Sequence, residues 1–385
     1  MPISNRFIHH PGEDEYLYDL SLGICEACRM VQLEECVEPE MMFNEDYAFF
    51  SSTSSAMADH FREMADRIID IVSEKPSPFV VELGCNDGIL LQHFVKGGVP
   101  HLGIEPSANV AQSAREKGVR VMEAFFNTEC ARKIKDRYGM ADVICGANVM
   151  CHIEDINSVF AGVTCLLQPD GVFFFEDPYI LDIVEKTSFD QIYDEHVFYF
   201  SGLSVSRLAE RHGLRLIHME AQNVHGGSMR YYLKKKDVSG ISTDVERHLA
   251  RERELMLHKV EGYHSFSEHV NRICNDLKET LLELHSSGKR IAAYGATSKS
   301  TTLLNYAGIG ADLIAYISDT TPTKIGKFTP GTHIPIRSHD FFSDDVPPYT
   351  LLLAWNHRDE ILKKEKHYRE KGGRFITFFP KVAIE

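Results

Sequence analysis

The stretch PSPFVVELGCNDGILLQHF, residues 76–94, constrains the fold more than any other part of the chain. Pro76 and Pro78 break what precedes it, and FVVELG is a short run, apolar but for Glu82, of the kind buried on both faces of a parallel sheet. Gly84 and Gly88 then let the backbone turn sharply before a helical segment begins. The same rhythm continues, with HLGIEP, VRVMEAF, ADVICGAN and GVFFFEDP as short strands separated by helical stretches such as ANVAQSAREKG. Alternation of this kind implies βαβ units, a parallel sheet and helices on both faces. The fold class is therefore α/β.

Upstream, Met57, Phe61, Met64 and Ile68 recur at helical spacing from Ser54 to Ile71. The first residues read instead as short strands and turns around Cys25-Glu-Ala-Cys28. Residues 242–286 are charged and helical, with Ser265 and Glu268 spaced as a capping box and Val270, Ile273, Leu277, Leu281 and Leu284 forming one apolar stripe. A second αβ module starts at KRIAAYGATSKS and closes at RFITFFP. The expected division is a small N-terminal lobe over residues 1–53, a central domain over 54–240, and a helical connector with a C-terminal Rossmann-like domain over 241–385.

Composition excludes several classes of function. A formal charge of −15 argues against an electrostatic grip on nucleic acid or an anionic membrane. No apolar run approaches membrane-spanning length, and nine scattered cysteines suit a reducing cytoplasm better than a disulfide framework. A cytoplasmic monomer is expected.

The loop after the first strand of the central domain has its own chemistry. A dinucleotide fingerprint beginning at Gly84 would need glycine where Asn86 and Ile89 stand, so a pyrophosphate has no close approach. Glu82-x-Gly84-x-Asn86-x-Gly88 resembles the first motif of S-adenosylmethionine methyltransferases, in which this loop holds the methionine part of the cofactor. Glu105 ends the next strand, where an acid can accept both ribose hydroxyls. Asn127, after VRVMEAFF, and Asn148, after the fourth strand, stand where this fold meets the adenine and the ligand crevice.

Beyond Glu176-Asp177-Pro178 lies FDQIYDEHVFYFS, where Tyr193, Glu195 and His196 crowd together. A histidine suits proton abstraction α to a ketone, and a tyrosine hydroxyl suits the developing enolate oxygen. YDEHVFYFS, VHGGSMR, GATSKSTTLLNY and DTTPTKIGKFTPGTHIPI together resemble the sugar C-methyltransferases of deoxysugar biosynthesis. The resemblance implies a class I Rossmann-like methyltransferase domain, a second C-terminal Rossmann-like domain and a small zinc-binding N-terminal lobe. It also implies a nucleotide-diphosphate-linked 4-keto-deoxysugar that is deprotonated at C3, with His196 as base, Tyr193 and Glu195 beside it, and Tyr47 in DYAFFSS reaching the sugar.

Thr297, Ser298 and Lys299 are candidate diphosphate contacts, with Arg230 and Glu176 as further substrate contacts. A Walker A motif is excluded because Ser298, not glycine, precedes Lys299. In the related enzymes two CxxC pairs bind a structural zinc; this chain has only Cys25 and Cys28 in that spacing, and His9 and His10 are the candidates to complete a site.

Overall fold

The computed structural model describes residues 1–42, 55–236, 240 and 242–385. The central module is a seven-stranded sheet. Its strands in chain order are β1 (Val80–Leu83), β2 (His101–Ile104), β3 (Val121–Met122), β4 (Ala141–Ala147), β5 (Leu167–Pro178), β6 (Leu214–Gln222) and β7 (Ser228–Lys235). They lie in the order β3-β2-β1-β4-β5-β7-β6, parallel except for β7, which runs antiparallel to both of its neighbours.

Alternate side chains of a strand leave opposite faces, so this sheet needs apolar residues at every position. Val81, Leu83, Ile144, Phe173 and Phe175 pack on one face against Ile134, Phe160 and Val163. Val80, Val143, Cys145, Val172 and Phe174 pack on the other against Met57, Phe61, Met64 and Ile68 of the helix Ser55–Val72. That face is the period read from the sequence.

The C-terminal module has six strands: β8 (Ile291–Tyr294), β9 (Ile317–Asp319), β10 (Ile336–Ser338), β11 (Tyr349–Leu352), β12 (Arg374–Thr377) and β13 (Ala383–Ile384). Their order is β10-β9-β8-β11-β12-β13, with only β13 antiparallel. The order reverses between β8 and β11, which is where open αβ sheets receive ligands.

Two local expectations change. VRVMEAF contributes only Val121–Met122, because it forms the sheet's edge and pairs on one side alone. The helix carrying Val270, Ile273, Leu277 and Leu281 starts at His264, so Ser265 lies inside it and caps nothing. The chain enters from a 3-10 turn, Val260–Tyr263, already in helical geometry, which removes the need for a serine cap. Helix Thr243–Glu254 packs on the central module: Glu252 accepts the backbone N–H groups of Gly202 and Leu203 and the Tyr179 hydroxyl.

The N-terminal lobe is knitted to both modules. Its hairpin, Leu22–Ile24 and Val31–Leu33, takes Phe198–Tyr199 as a third strand. Met30, Val31 and Leu33 join the central core, while Ile8 pairs with Phe328 of the C-terminal module. Among the described residues no helix is long and apolar enough to cross a membrane.

Candidate active site

The crevice at the carboxyl ends of β1 and β4 is shaped by its first loop. Gly84, Asn86 and Gly88 all have positive φ, at 63°, 46° and 79°. A Cβ on Gly84 would come within 2.5 Å of Val149 Cγ2, so both conformation and space require glycine there. Glu105, at the end of β2, accepts the backbone N–H of Asn86 at 3.1 Å and of Ser107 at 2.9 Å. One carboxylate thus ties the loop to the end of β2. Glu82 is 2% exposed, and its Oε2 has no hydrogen-bond partner. Burial, reinforced by Glu105 and Asp87, raises its carboxyl well above the usual range. An orphaned buried carboxylate oxygen beside a strained glycine turn fits a cationic ligand such as the ammonium and sulfonium of S-adenosylmethionine.

The second cluster is built by the irregular segment after helix Ile180–Lys186. His196 is 5% exposed, and its Nδ1 lies 2.8 Å from the Gln191 carbonyl oxygen. A carbonyl can only accept, so Nδ1 carries the proton and Nε2 keeps its lone pair. The Tyr193 hydroxyl sits 2.8 Å from Nε2 and donates to it. Burial, then His152 and Lys299, hold His196 well below the ordinary histidine range, so the ring is neutral at neutral pH. His152 stacks on it with ring centroids 5.2 Å apart, and Asn5 of the N-terminal lobe donates to Glu195.

Arg230 and Glu176 occupy directly opposed positions on β7 and β5. Arg230 Nη2 lies 2.7 Å from Glu176 Oε2, and His60 Nε2 lies 2.7 Å from Oε1. Burial alone would raise the Glu176 carboxyl, but His60 and Arg230 outweigh it and hold the carboxyl low. The expectation that Arg230 offers a free charge to an anion is therefore corrected: its charge is neutralised across the sheet. Glu176 is likewise fully buried, with its two oxygens committed to Arg230 and His60.

The C-terminal module faces this cluster with its own first loop. Thr297 and Ser300 form a reciprocal capping box, so the Thr297 hydroxyl serves the helix Ser298–Ala307. Lys299 is half-buried, with Nζ 3.4 Å from the His225 carbonyl oxygen and 5.6 Å from the Trp355 ring centroid. Trp355 Nε1 donates to Asp190 at 2.6 Å. Burial pushes Asp190 up to about 7, against the pull of Lys299.

A C-methyltransferase C-terminal domain matches residues 223–380, and a methyltransferase domain matches 57–219. C-methyltransferase NovU of Streptomyces niveus is 35% identical over 371 residues, covering 96% of this chain and 88% of that protein. The chain belongs to the C-methyltransferase family.

A ubiquinone biosynthesis O-methyltransferase of Methylococcus capsulatus shares 32% identity over 99 residues, 25% of this chain and 41% of that one. Among solved structures, magnesium protoporphyrin IX methyltransferase from Synechocystis has a TM-score of 0.35 at 12% identity, over 47% of this chain and 81% of that one. The protein is an S-adenosylmethionine-dependent C-methyltransferase, and the loop Gly84–Gly88 with Glu82 and Glu105 fits that cofactor.

A model described as “Putative zinc binding domain” matches residues 1–43 of the methyltransferase. Cys25 and Cys28 sit on one tight turn of the N-terminal hairpin, where the Arg29 N–H donates to the Cys25 carbonyl oxygen at 2.8 Å. Among the described residues no third His, Cys, Asp or Glu closes on them, so the four-ligand set of a structural zinc is not assembled. His9 and His10 do not complete it.

Of the remaining candidates, Tyr47 lies outside the described residues. Asn127 is exposed and caps the helix Thr128–Tyr138, accepting the Cys130 N–H at 2.9 Å. Asn148 holds a left-handed backbone at the end of β4, its N–H donating to the Glu176 carbonyl oxygen at 2.7 Å. Sequence reasoning missed Asn5, His60, Asp190, Gln191 and Trp355. Asn5, His60 and Trp355 lie in no motif and reach the site through long-range packing, whereas Asp190 and Gln191 sit within FDQIYDEHVFYFS itself, a few residues before His196.

Proposed function

We propose that the methyltransferase acts on a nucleotide-linked 4-keto-deoxysugar and methylates C3, the carbon beside the ketone, with His196 as the base. The observation that carries this reading is the bond from His196 Nδ1–H to the Gln191 carbonyl oxygen. It leaves Nε2 as an acceptor inside a buried pocket where the ring stays neutral. A base held in that state is needed to break a C–H bond, whereas methylating a hydroxyl or amine needs no carbon acid.

S-adenosylmethionine, when bound, supplies an electrophilic methyl group. Glu82 would hold its cationic part, Glu105 would accept its ribose hydroxyls, and Asn86 and Asn148 would line its crevice. The His196 Nε2 takes the C3 proton, and the electron pair moves onto the ketone oxygen as an enolate. Tyr193, which donates to Nε2 at rest, turns its O–H to that oxygen; C3 would then take the methyl group with its electron pair as the methyl–sulfur bond breaks, the sulfur keeping that bond's pair and S-adenosylhomocysteine leaving. Glu195 and Tyr47 orient the sugar, and the backbone at Thr297, Ser298 and Lys299 receives the diphosphate. A reducing cytoplasm suits a chain whose nine cysteines are all free.

Solvent exchange tests the reading. With the keto-sugar nucleotide present and methyl transfer blocked by S-adenosylhomocysteine, the parent enzyme washes deuterium into C3, and His196→Asn does not. Equal exchange in both removes His196 as the base. No exchange in either, with methylation intact, moves the acceptor atom to oxygen or nitrogen.

A further inference from the structure

His196 draws its place from one module and the state of its ring from another. Downstream of it, the Val197 N–H donates to the Cys151 carbonyl oxygen at 2.7 Å, which ties this backbone to the turn after β4. Upstream, the carbonyl that fixes the ring proton belongs to Gln191, the last residue of a 3-10 turn, Phe189–Gln191. That turn belongs to the central stretch of the chain, yet the C-terminal module grips it. The Phe189 ring is buried in that module's core, with its centroid 5.7 Å from that of Tyr306 and 6.1 Å from that of Phe379. Thr302 Oγ1 donates to the Ile192 carbonyl oxygen at 2.8 Å. Between these two contacts, Trp355 Nε1 donates to Asp190 Oδ2 at 2.6 Å.

The bond from Trp355 is the one on which the turn depends most. A buried carboxyl group costs free energy unless it is hydrogen-bonded. Asp190 is fully buried, and among the described residues its other oxygen, Oδ1, has no hydrogen-bond partner. Burial pushes its carboxyl up to about 7, so both charge states exist near neutrality, and Oδ2 can accept the indole N–H in either one. The bond therefore survives the titration of Asp190. Gln191 comes next in the chain; its side-chain amide donates to Ser188 Oγ at 2.9 Å, and its backbone carbonyl is the group that reaches His196. A neutral imidazole carries one ring proton, which can sit on either nitrogen once that carbonyl moves away. With the proton on Nε2, the lone pair that could take a proton from carbon is lost.

We propose that Trp355 and Asp190 are positioning residues: through the turn Phe189–Gln191 they hold the Gln191 carbonyl against His196 Nδ1, so that the C-terminal module sets the tautomer of the base. For its effect on turnover this rests on the reading of His196 as the base. The place of the ring proton is a property of the fold and can be measured without turnover.

Nitrogen NMR of the full-length enzyme carrying isotope-labelled histidine reads that proton directly, with the His196→Asn spectrum identifying the His196 resonances. The parent should show one tautomer, protonated on Nδ1. Trp355→Phe keeps an aromatic ring beneath Lys299 and removes the N–H. It should populate the Nε2–H tautomer and lower turnover by about tenfold to a hundredfold, the scale of a small misplacement of a reacting group. Affinities for S-adenosylhomocysteine and the keto-sugar nucleotide should stay at the parent values, which also verifies that the variant is folded. Asp190→Asn, whose amide oxygen still accepts the indole N–H, should lie nearer the parent in both readouts than Asp190→Leu. An unchanged tautomer in Trp355→Phe, or a parent ring protonated on Nε2, overturns the inference. So does a fall in rate matched by equal losses of affinity, or equal damage from Asp190→Asn and Asp190→Leu, since either marks bulk or charge rather than the bond. If the tautomer shifts as expected but His196→Asn still exchanges C3 deuterium like the parent, the hold on the ring stands and the assignment of the base falls.

Discussion

The first loops of the two Rossmann-like modules share a topology and diverge in chemistry. After β1 the chain places three residues at positive φ within five positions and leaves the Glu82 carboxylate oxygen without a partner. That crevice is acidic and cramped, suited to a ligand with positive charge. After β8 only Gly295 has positive φ, the helix is sealed by the Thr297–Ser300 box, and the flanking charges are lysines. That crevice favours an anion. The lesson is that strand order sets where a ligand lies, while the few residues around the first turn set its charge.

The largest expected effect falls on the segment between the two crevices. His196→Asn should bind both ligands as the parent does and slow turnover by about a hundredfold to ten-thousandfold, the usual worth of general-base catalysis. Single-turnover kinetics with separately measured affinities check this; a variant that loses affinity in step with rate would merge reaction and binding into one site.

Cations sharpen the contrast next. Arg230 is paired inside the sheet, so Arg230→Ala should cost about 3–5 kcal/mol of folding stability by stranding Glu176. Among the described residues Lys299 has no such partner, and burial lowers its pKa, so the folded state carries a penalty for its charge. Lys299→Met should therefore leave the denaturation midpoint unchanged or raise it, while weakening nucleoside diphosphate binding. Urea titrations of both variants decide the matter, and a large loss with Lys299→Met would show that its charge is paired after all.

Glu105→Ala should weaken S-adenosylmethionine binding tenfold to a hundredfold, from loss of an interaction worth roughly 1.5–3 kcal/mol, with nucleoside diphosphate affinity untouched. An equal fall in both affinities breaks the idea of two independent crevices.

The pH profile comes next in size. Protonation of Nε2 abolishes the base, and burial has moved that event well below the ordinary value of 6.5. The rate should stay level as pH falls from neutrality through 6.5 and drop only at more acid pH. A limb centred near 6.5 would mean a solvated ring and a cluster more open than the structure shows.

Smallest is the metal. With two cysteines on one turn and, among the described residues, no further ligand closing on them, chelator treatment should leave turnover unchanged and shift the melting temperature little. Elemental analysis showing one tightly held zinc per chain would mean that ligands outside the described residues complete the set.

Much of the fold was legible beforehand because its signals are local. The apolar strands, the period of Met57, Phe61, Met64 and Ile68, and the glycines at 84 and 88 each follow from neighbouring residues. The failures were also local in form. Ser265 matched a capping pattern yet sits inside a helix, because a 3-10 turn had already set the geometry. Arg230 had the chemistry of an anion contact, and nothing near it in the chain announced that Glu176 faces it across the sheet.

What the sequence determined by itself is the class of fold, two αβ modules behind a small lobe, and the kind of chemistry its motifs resemble. Periodicity and turn residues act over a few positions, so they can be read in order along the chain. What only the tertiary structure decided is the state of each functional group. The proton on His196 Nδ1 is fixed by a carbonyl five residues away, Glu195 is held by Asn5, and the Arg230 charge is cancelled by Glu176. Protonation and charge depend on burial and on partners brought within about 3 Å, and those distances exist only once the chain has folded.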